Sequence, residues 1–572
     1  MRSTRNPRPP VRTMAAIGAA ALLVVASPAI ASAAPAADPA PPAAPAATAA
    51  QVEAPVPDLA WGACDGAGVE AFECALAEVP SDYDEPTGAT TTIALTRLPA
   101  TDPSQRIGSL FLNFGGPGGP GVSTLQQLGA FLDPQVHARF DVIGFDPRGV
   151  GLSDPVTCFP DAASEQAFVA GSPAVPVTPE EEAESIALFG TTSLACETLS
   201  GNRIASASTA NVARDMDLLR QAVGDERLSY LGYSYGSILG ATYGMLFPDR
   251  IRALAIDGTL EPSRWSGTDA AVDASVGVRV GQGVAASEVF DEFLALCAQV
   301  GPQSCSLAGI GDPRQVVEDV LARLQQQPVE VPGPDGAPLT IDYGTAVAVA
   351  FTSLYSPAGF GPLADTFAQL HALTQPQQAM TTQQRGVSLG DVGDLLRRLG
   401  LIEDYSGIGS ALASMCVDGQ HPLQPWEYPA QADAADAEAP HFGRMRSWVG
   451  IQCEFVPFSD EDAYLGPWDQ TTQAPVLVIG TRHDPATPFD QTQPYADRFD
   501  DARVLTVEGY GHTTLGVSAC ANAAIATYLT DLVATDGATC GQDVAPFQAA
   551  PASLLDDVAS LHAPSQGFAP GL

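Results

Sequence analysis

Short apolar runs cluster in two parts of this chain. The first group comprises "IALTRL" from Ile93, "GSLFLNFG" from Gly108, "FDVIGFD" from Phe140, "LSYLGYS" from Leu228 and "IRALAIDG" from Ile251. The second comprises "APVLVIG" from Ala474 and "ARVLTVEG" from Ala502. These runs are apolar nearly throughout and end close to a Gly or Asp, as do strands buried on both faces of a parallel sheet. Between runs the period changes. In "TANVARDMDLLRQAVG", Val212, Met216 and Leu219 share one helical face and a glycine closes the segment, predicting an amphipathic helix laid on the sheet. Alternating strand and helix patterns predict an α/β fold, a mostly parallel sheet flanked by helices, with chemistry at the carboxyl ends of the strands.

The alternation lapses from about Glu261 to Ala474, where helical stretches such as "DPRQVVEDVLARLQQ" prevail. This region is expected to be an inserted, largely helical cap; an independent second domain is the other reading. At the N-terminus, arginines up to Arg12 precede an apolar run from Met14 to Val25 and the small residues Ala31, Ser32 and Ala33. That is the layout of a secretory signal peptide cleaved near Ala33, with an apolar core too short for a membrane span. The expected organisation is signal peptide 1–33, Ala/Pro-rich linker or pro-segment 34–56, α/β core 57–260, cap 261–474, core 475–545 and C-terminal tail 546–572.

Charge narrows the chemistry. The 572 residues carry 26 basic against 66 acidic groups, a net charge of −40, and every basic residue is arginine. Without lysine there is no Walker lysine, Schiff base or Ser-Lys dyad. Such acidity also argues against a nucleic-acid partner, whose binding rests on cation density. Ten cysteines in an exported chain predict disulfides, most simply the sequential pairs 64/74, 158/196, 297/305, 416/453 and 520/540. Zinc-type Cys/His spacing is absent from the sequence, and no cofactor is predicted.

Gly232-Tyr233-Ser234-Tyr235-Gly236 stands where a strand pattern passes into a helix pattern and matches G-x-S-x-G. The glycines permit a tight turn that lifts the serine hydroxyl above the sheet edge, at the positive end of the helix. A serine needs a base, and the base an orienting carboxylate. His512 in "VEGYGHTTL" and Asp484 in "TRHDPATP" follow the last two predicted strands, so Ser234, Asp484 and His512 form the expected triad, in the chain order of α/β-hydrolases. Asp257, also at a strand end, is the rival acid and His483 the rival base. Thr487, in the turn after Asp484, is expected to hydrogen-bond that carboxylate. The loop "NFGGPGGPG" exposes backbone enough to stabilise an oxyanion, with the N–H groups of Gly116 and Tyr235 as the donors.

Together "FGGPGGPG", "FDVIGFDPRGVGLSDPVTC", "LSYLGYSYGSILGATYGMLFPDRIRALAIDG", "HDPATP" and "GYGHTTL" resemble the secreted tripeptidyl aminopeptidases of actinobacteria, α/β-hydrolases related to proline iminopeptidases. The resemblance runs from about Trp61 to Cys540 and is thin in the cap. It implies a serine exopeptidase acting on peptides with a free N-terminus, and "MCVDG" around Cys416 and Asp418 resembles the cap motif of the group. Phe114 stands where related proline iminopeptidases have histidine, Ser237 where threonine is common, and "CEFVP" departs from the usual Trp-Pro pattern. An aminopeptidase needs a carboxylate for the substrate ammonium; Asp418 is the first candidate and Glu261 the second. An exported carboxylesterase or lipase with the same triad is the alternative enzyme, and a non-catalytic binding protein the alternative class. Oligomeric state is not legible.

Overall fold

The computed structural model describes residues 54–129, 132–269, 271–332, 338–375, 408–456 and 459–548. The expected signal peptide, nearly all of the linker and the tail from 549 lie outside the described residues. In chain order the strands are β1 (Gly62–Ala63), β2 (Glu73–Pro80), β3 (Thr90–Leu98), β4 (Gly108–Asn113), β5 (Phe140–Phe145), β6 (Leu228–Tyr233), β7 (Ile251–Asp257), β8 (Val329–Pro332), β9 (Pro338–Ile341), β10 (Val476–His483), β11 (Ala502–Tyr510) and β12 (Ala538–Gly541). All seven apolar runs are therefore strands. Ten strands form one sheet in the order β1-β2-β3-β5-β4-β6-β7-β10-β11-β12. From β5 to β12 every neighbouring pair is parallel, and β1, β2 and β3 add an antiparallel edge.

The strands missed by pattern are those at the sheet edges. Burial along β2 alternates, because this antiparallel strand turns one face to the core and the other to solvent, so it shows no continuous apolar run. The small β8–β9 hairpin lies in the region expected to be helical.

Helices cover both faces. Thr209–Ala222 and Gly236–Leu246 place Val212, Met216, Leu219, Leu239 and Tyr243 against Tyr230, Leu254 and Ile256. On the other face Leu125, Ile525 and Leu529 pack on Leu110, Val142 and Leu505. Each such buried side chain contributes roughly 1.5–3 kcal/mol. The order in which strands are added reverses at β4, with β5 on one side of it and β6 on the other, all three parallel. At that switch point, beyond the carboxyl ends of β4 and β6, the glycine-rich loop and the Ser234 turn meet.

Above the carboxyl ends, the helices Gln282–Val300, Pro313–Gln326, Tyr343–Ser353 and Phe360–Thr374 share a core of Phe290, Phe293, Leu321, Val347, Phe360 and Phe367. A second contribution comes from outside the expected cap boundaries. Helix Pro179–Ser200, between β5 and β6, carries Phe189 and Cys196 into one cluster with Trp265, Leu412, Trp448 and Cys453. Ser193 Oγ donates to the Gln452 carbonyl at 2.9 Å, and Arg444 pairs with Glu182 at 2.9 Å. Strand–helix alternation continues through this segment, so periodicity assigned it to the core. The five sequential cysteine pairs are the disulfides of the structure.

The "FDPRGVGLSD" segment has a structural explanation. Arg148 is buried, donates to both oxygens of Asp215, and gives its remaining N–H groups to the carbonyls of Pro80, Ser81 and Ser206. With every donor satisfied the charge is tolerated; removing either partner would strand the other.

Candidate active site

Ser234 lies between β6 and the helix Gly236–Leu246 with φ of 56°, in the left-handed region that a non-glycine residue adopts at a cost. The flanking glycines are sterically required. A Cβ on Gly232 would fall 2.5 Å from the Gly236 carbonyl oxygen, and one on Gly236 would fall 2.9 Å from the Asn113 carbonyl oxygen. Ser234 is half-buried while Tyr233 and Tyr235 are buried, so the turn presents the serine and hides its neighbours. Its N–H donates to the Asp257 carbonyl at 3.0 Å.

His512 Nδ1 lies 2.9 Å from Asp484 Oδ2 and 3.0 Å from Oδ1. Asp484 is 2% exposed and also accepts the N–H groups of Ala486 and Thr487, each at 2.8 Å, and the Thr487 hydroxyl at 2.7 Å. With its oxygens acting as acceptors towards the ring, the carboxylate assigns the proton to Nδ1 and leaves Nε2 as an acceptor. The Asp-Pro-Ala-Thr turn thus sets the orientation of the acid. His483, the rival base, instead stacks on Tyr510 with ring centroids 4.6 Å apart. Asp257, the rival acid, makes its side-chain hydrogen bonds with Thr514.

The glycine-rich loop wraps against the serine turn. Gly115 has φ of +94°, and a Cβ there would sit 2.8 Å from Ser234 Cβ and 2.7 Å from the Tyr233 carbonyl oxygen. Phe114 stacks on Tyr233 at 5.9 Å. Among the described residues, neither the Gly116 nor the Tyr235 N–H donates a hydrogen bond within the protein. Gly115→Ala is expected to push the loop off the serine turn and lower kcat by about 10²-fold, because misplacement on this scale is felt fully in the transition state. Steady-state kinetics beside a melting curve would test this, and unchanged kcat in a folded variant would contradict it.

Asp418 and Glu261 are placed differently from the triad residues. Both are buried, and each oxygen already has a protein donor. Asp418 accepts from the Thr209 N–H at 2.6 Å, from the Thr209 hydroxyl and from Trp265 Nε1 at 3.1 Å. Burial pushes its carboxyl up to about 6, against those bonds. Through Thr209 Oγ1 it reaches the Tyr235 hydroxyl. Glu261 caps the helix Pro262–Ser266 by accepting the Arg264 N–H at 2.9 Å, accepts the Ser263 hydroxyl at 2.5 Å, and pairs with Arg498 Nε at 2.7 Å.

Residues 112–282 match the family model described as alpha/beta hydrolase fold, and residues 439–540 the one described as TAP-like protein. Serine protease Hip1 of Mycobacterium tuberculosis is 31% identical over 461 residues, spanning 77% of this chain and 82% of that relative. This chain belongs to the TAP-like α/β-hydrolases. The tripeptidyl aminopeptidase of Streptomyces lividans is 29% identical over 471 residues, covering 80% of this chain and 81% of its own. Carboxylesterase B of M. tuberculosis is 30% identical over 504 residues, covering 84% and 89%. As a TAP-like α/β-hydrolase the chain is a serine hydrolase.

Two contacts in this TAP-like site were not foreseen from sequence. The His512 N–H donates to the Tyr355 carbonyl at 2.8 Å, and the Tyr355 ring meets the imidazole edge-on at 5.0 Å. Gly511 permits the approach, since a Cβ there would lie 2.7 Å from the Tyr355 carbonyl oxygen. The cap thereby buttresses the histidine loop. Tyr355 sits in "LYSPAG", far from any motif, and only the glycine before His512 hinted at a close backbone approach.

Proposed function

We propose that this protein is a secreted serine exopeptidase that releases short peptides, tripeptides in the first instance, from free N-termini through an acyl-enzyme on Ser234. The observation that carries the reading is the Asp484–His512 pair, hydrogen-bonded at 2.9 Å after the neighbouring strands β10 and β11, together with the positive-φ turn that holds Ser234 after β6. His512 Nε2 takes the hydroxyl proton as Ser234 Oγ attacks the scissile carbonyl carbon. Asp484 holds the ring and stabilises the imidazolium. The N–H groups of Gly116 and Tyr235 receive the oxyanion, where one donor is worth about 3 kcal/mol of barrier. The imidazolium then protonates the leaving amine, and water, deprotonated by His512, releases the acyl group.

Peptide substrates are supported by the names of the protease and aminopeptidase relatives. Secretion is supported by the leader pattern and the five disulfides. The ammonium-binding role expected of Asp418 and Glu261 is not favoured by this geometry, because protein donors already occupy both carboxylates. The second reading, an exported carboxylesterase using the same triad, is favoured by one observation, the 30% identity to carboxylesterase B.

The two readings separate on turnover of a tripeptide anilide with a free amine, its N-acetyl form and a short acyl ester. Preference for the free peptide is the expected outcome. Faster ester cleavage with no loss on acetylation would make the protein an esterase.

A further inference from the structure

Asp257 ends β7, between the strand that carries Ser234 and the strand that carries Asp484: it pairs with Tyr233 of β6 on one side and Ile479 of β10 on the other. The residue is fully buried, and its two ends reach two different loops. Its carbonyl accepts the Ser234 N–H at 3.0 Å. Its carboxylate Oδ2 accepts the N–H of Thr514 at 2.9 Å and the hydroxyl at 2.7 Å, two residues beyond His512. Oδ1 has no hydrogen-bond partner among the described residues.

A strand end requires no carboxylate, and burying one with an unpartnered oxygen costs stability. Groups retained at such a cost cluster at functional sites. The titratable groups facing Asp257 are Tyr233 from β6, Asp484 from the loop after β10 and His512 from the loop after β11. Burial pushes its carboxyl up to about 6, with Thr514 and His512 acting downward and Asp484 upward. At pH 8 it is therefore a carboxylate within electrostatic reach of the imidazole.

We infer that Asp257 is a positioning residue: it ties the serine turn and the histidine loop to one strand end and places a carboxyl group near His512. The inference rests on the Ser234–His512–Asp484 reading above. It assigns Asp257 no contact with substrate, so its effect falls on kcat and on the pH profile while KM stays unchanged.

The test compares Asp257→Ala, Asp257→Asn and Thr514→Val with the parent enzyme, reading kcat, KM, the pH dependence of kcat/KM and the rate of labelling by a fluorophosphonate probe. Asp257→Ala is expected to lower kcat and the labelling rate by about 10²-fold with KM within about twofold. Asp257→Asn keeps an acceptor for Thr514 and should recover about tenfold of that loss. Its acidic limb should move to lower pH, because losing the negative charge disfavours the imidazolium. Thr514→Val should lower kcat less and leave the limb in place.

Parental kcat and pH profile in both Asp257 variants would overturn the inference, even with a shifted melting temperature. A loss confined to KM would overturn it too. If Asp257→Ala does not fold, the Asn and Thr514 variants decide. Probe labelling that survives Ser234→Ala would instead show that the triad reading has failed.

Discussion

Ser234→Ala is expected to lower kcat by about a millionfold with little change in KM, the size of effect seen when the nucleophile of a serine triad is removed. The turn offers no substitute. Ser237, the next hydroxyl in the motif, is fully buried, and its Oγ accepts the Leu260 N–H at 2.9 Å. The variant should fold, since alanine meets the same left-handed backbone at φ of 56° that serine already tolerates. Turnover and covalent labelling by a fluorophosphonate would check this together. Residual turnover above about one thousandth of the parent would place the nucleophile elsewhere.

Asp484→Asn has the next largest expected effect, about a 10⁴-fold loss in kcat. Asparagine keeps the size of the side chain and one acceptor for the Ala486 and Thr487 N–H groups. Its amide, however, would present a donor towards His512 Nδ1, now 2.9 Å from a carboxylate oxygen. The imidazole would then carry its proton on Nε2, where a base must accept one. Kinetics across pH should show the loss at every value where the parent is active, and a variant retaining a tenth of parental activity would move the orienting role to Asp257.

Much of the site was legible because its chemistry depends on local backbone shape. Gly232 and Gly236 mark the serine turn, since a Cβ on either would collide with main-chain atoms. Asp484 and Thr487 mark the acid turn, as donors and acceptor lie within four consecutive residues. The substrate-binding expectation fared differently. Nothing local to Asp418 says that Thr209 and Trp265, distant in sequence, take up its oxygens, and nothing local to Glu261 announces Arg498.

The sequence by itself determined the parallel sheet, the tight turn at Ser234, the pairing of Asp484 with His512 and the sequential disulfides. Continuous apolar runs, special-φ glycines and short-range cysteine spacing are properties of neighbouring residues. Tertiary structure alone decided that the helix Pro179–Ser200 packs on Trp448 and Cys453, that Tyr355 steadies the histidine loop and that Asp257 reaches both the serine turn and the histidine loop. Each of these depends on which faces meet after the sheet has formed. A buried polar group finds its partners by proximity in space, which periodicity along the chain does not encode.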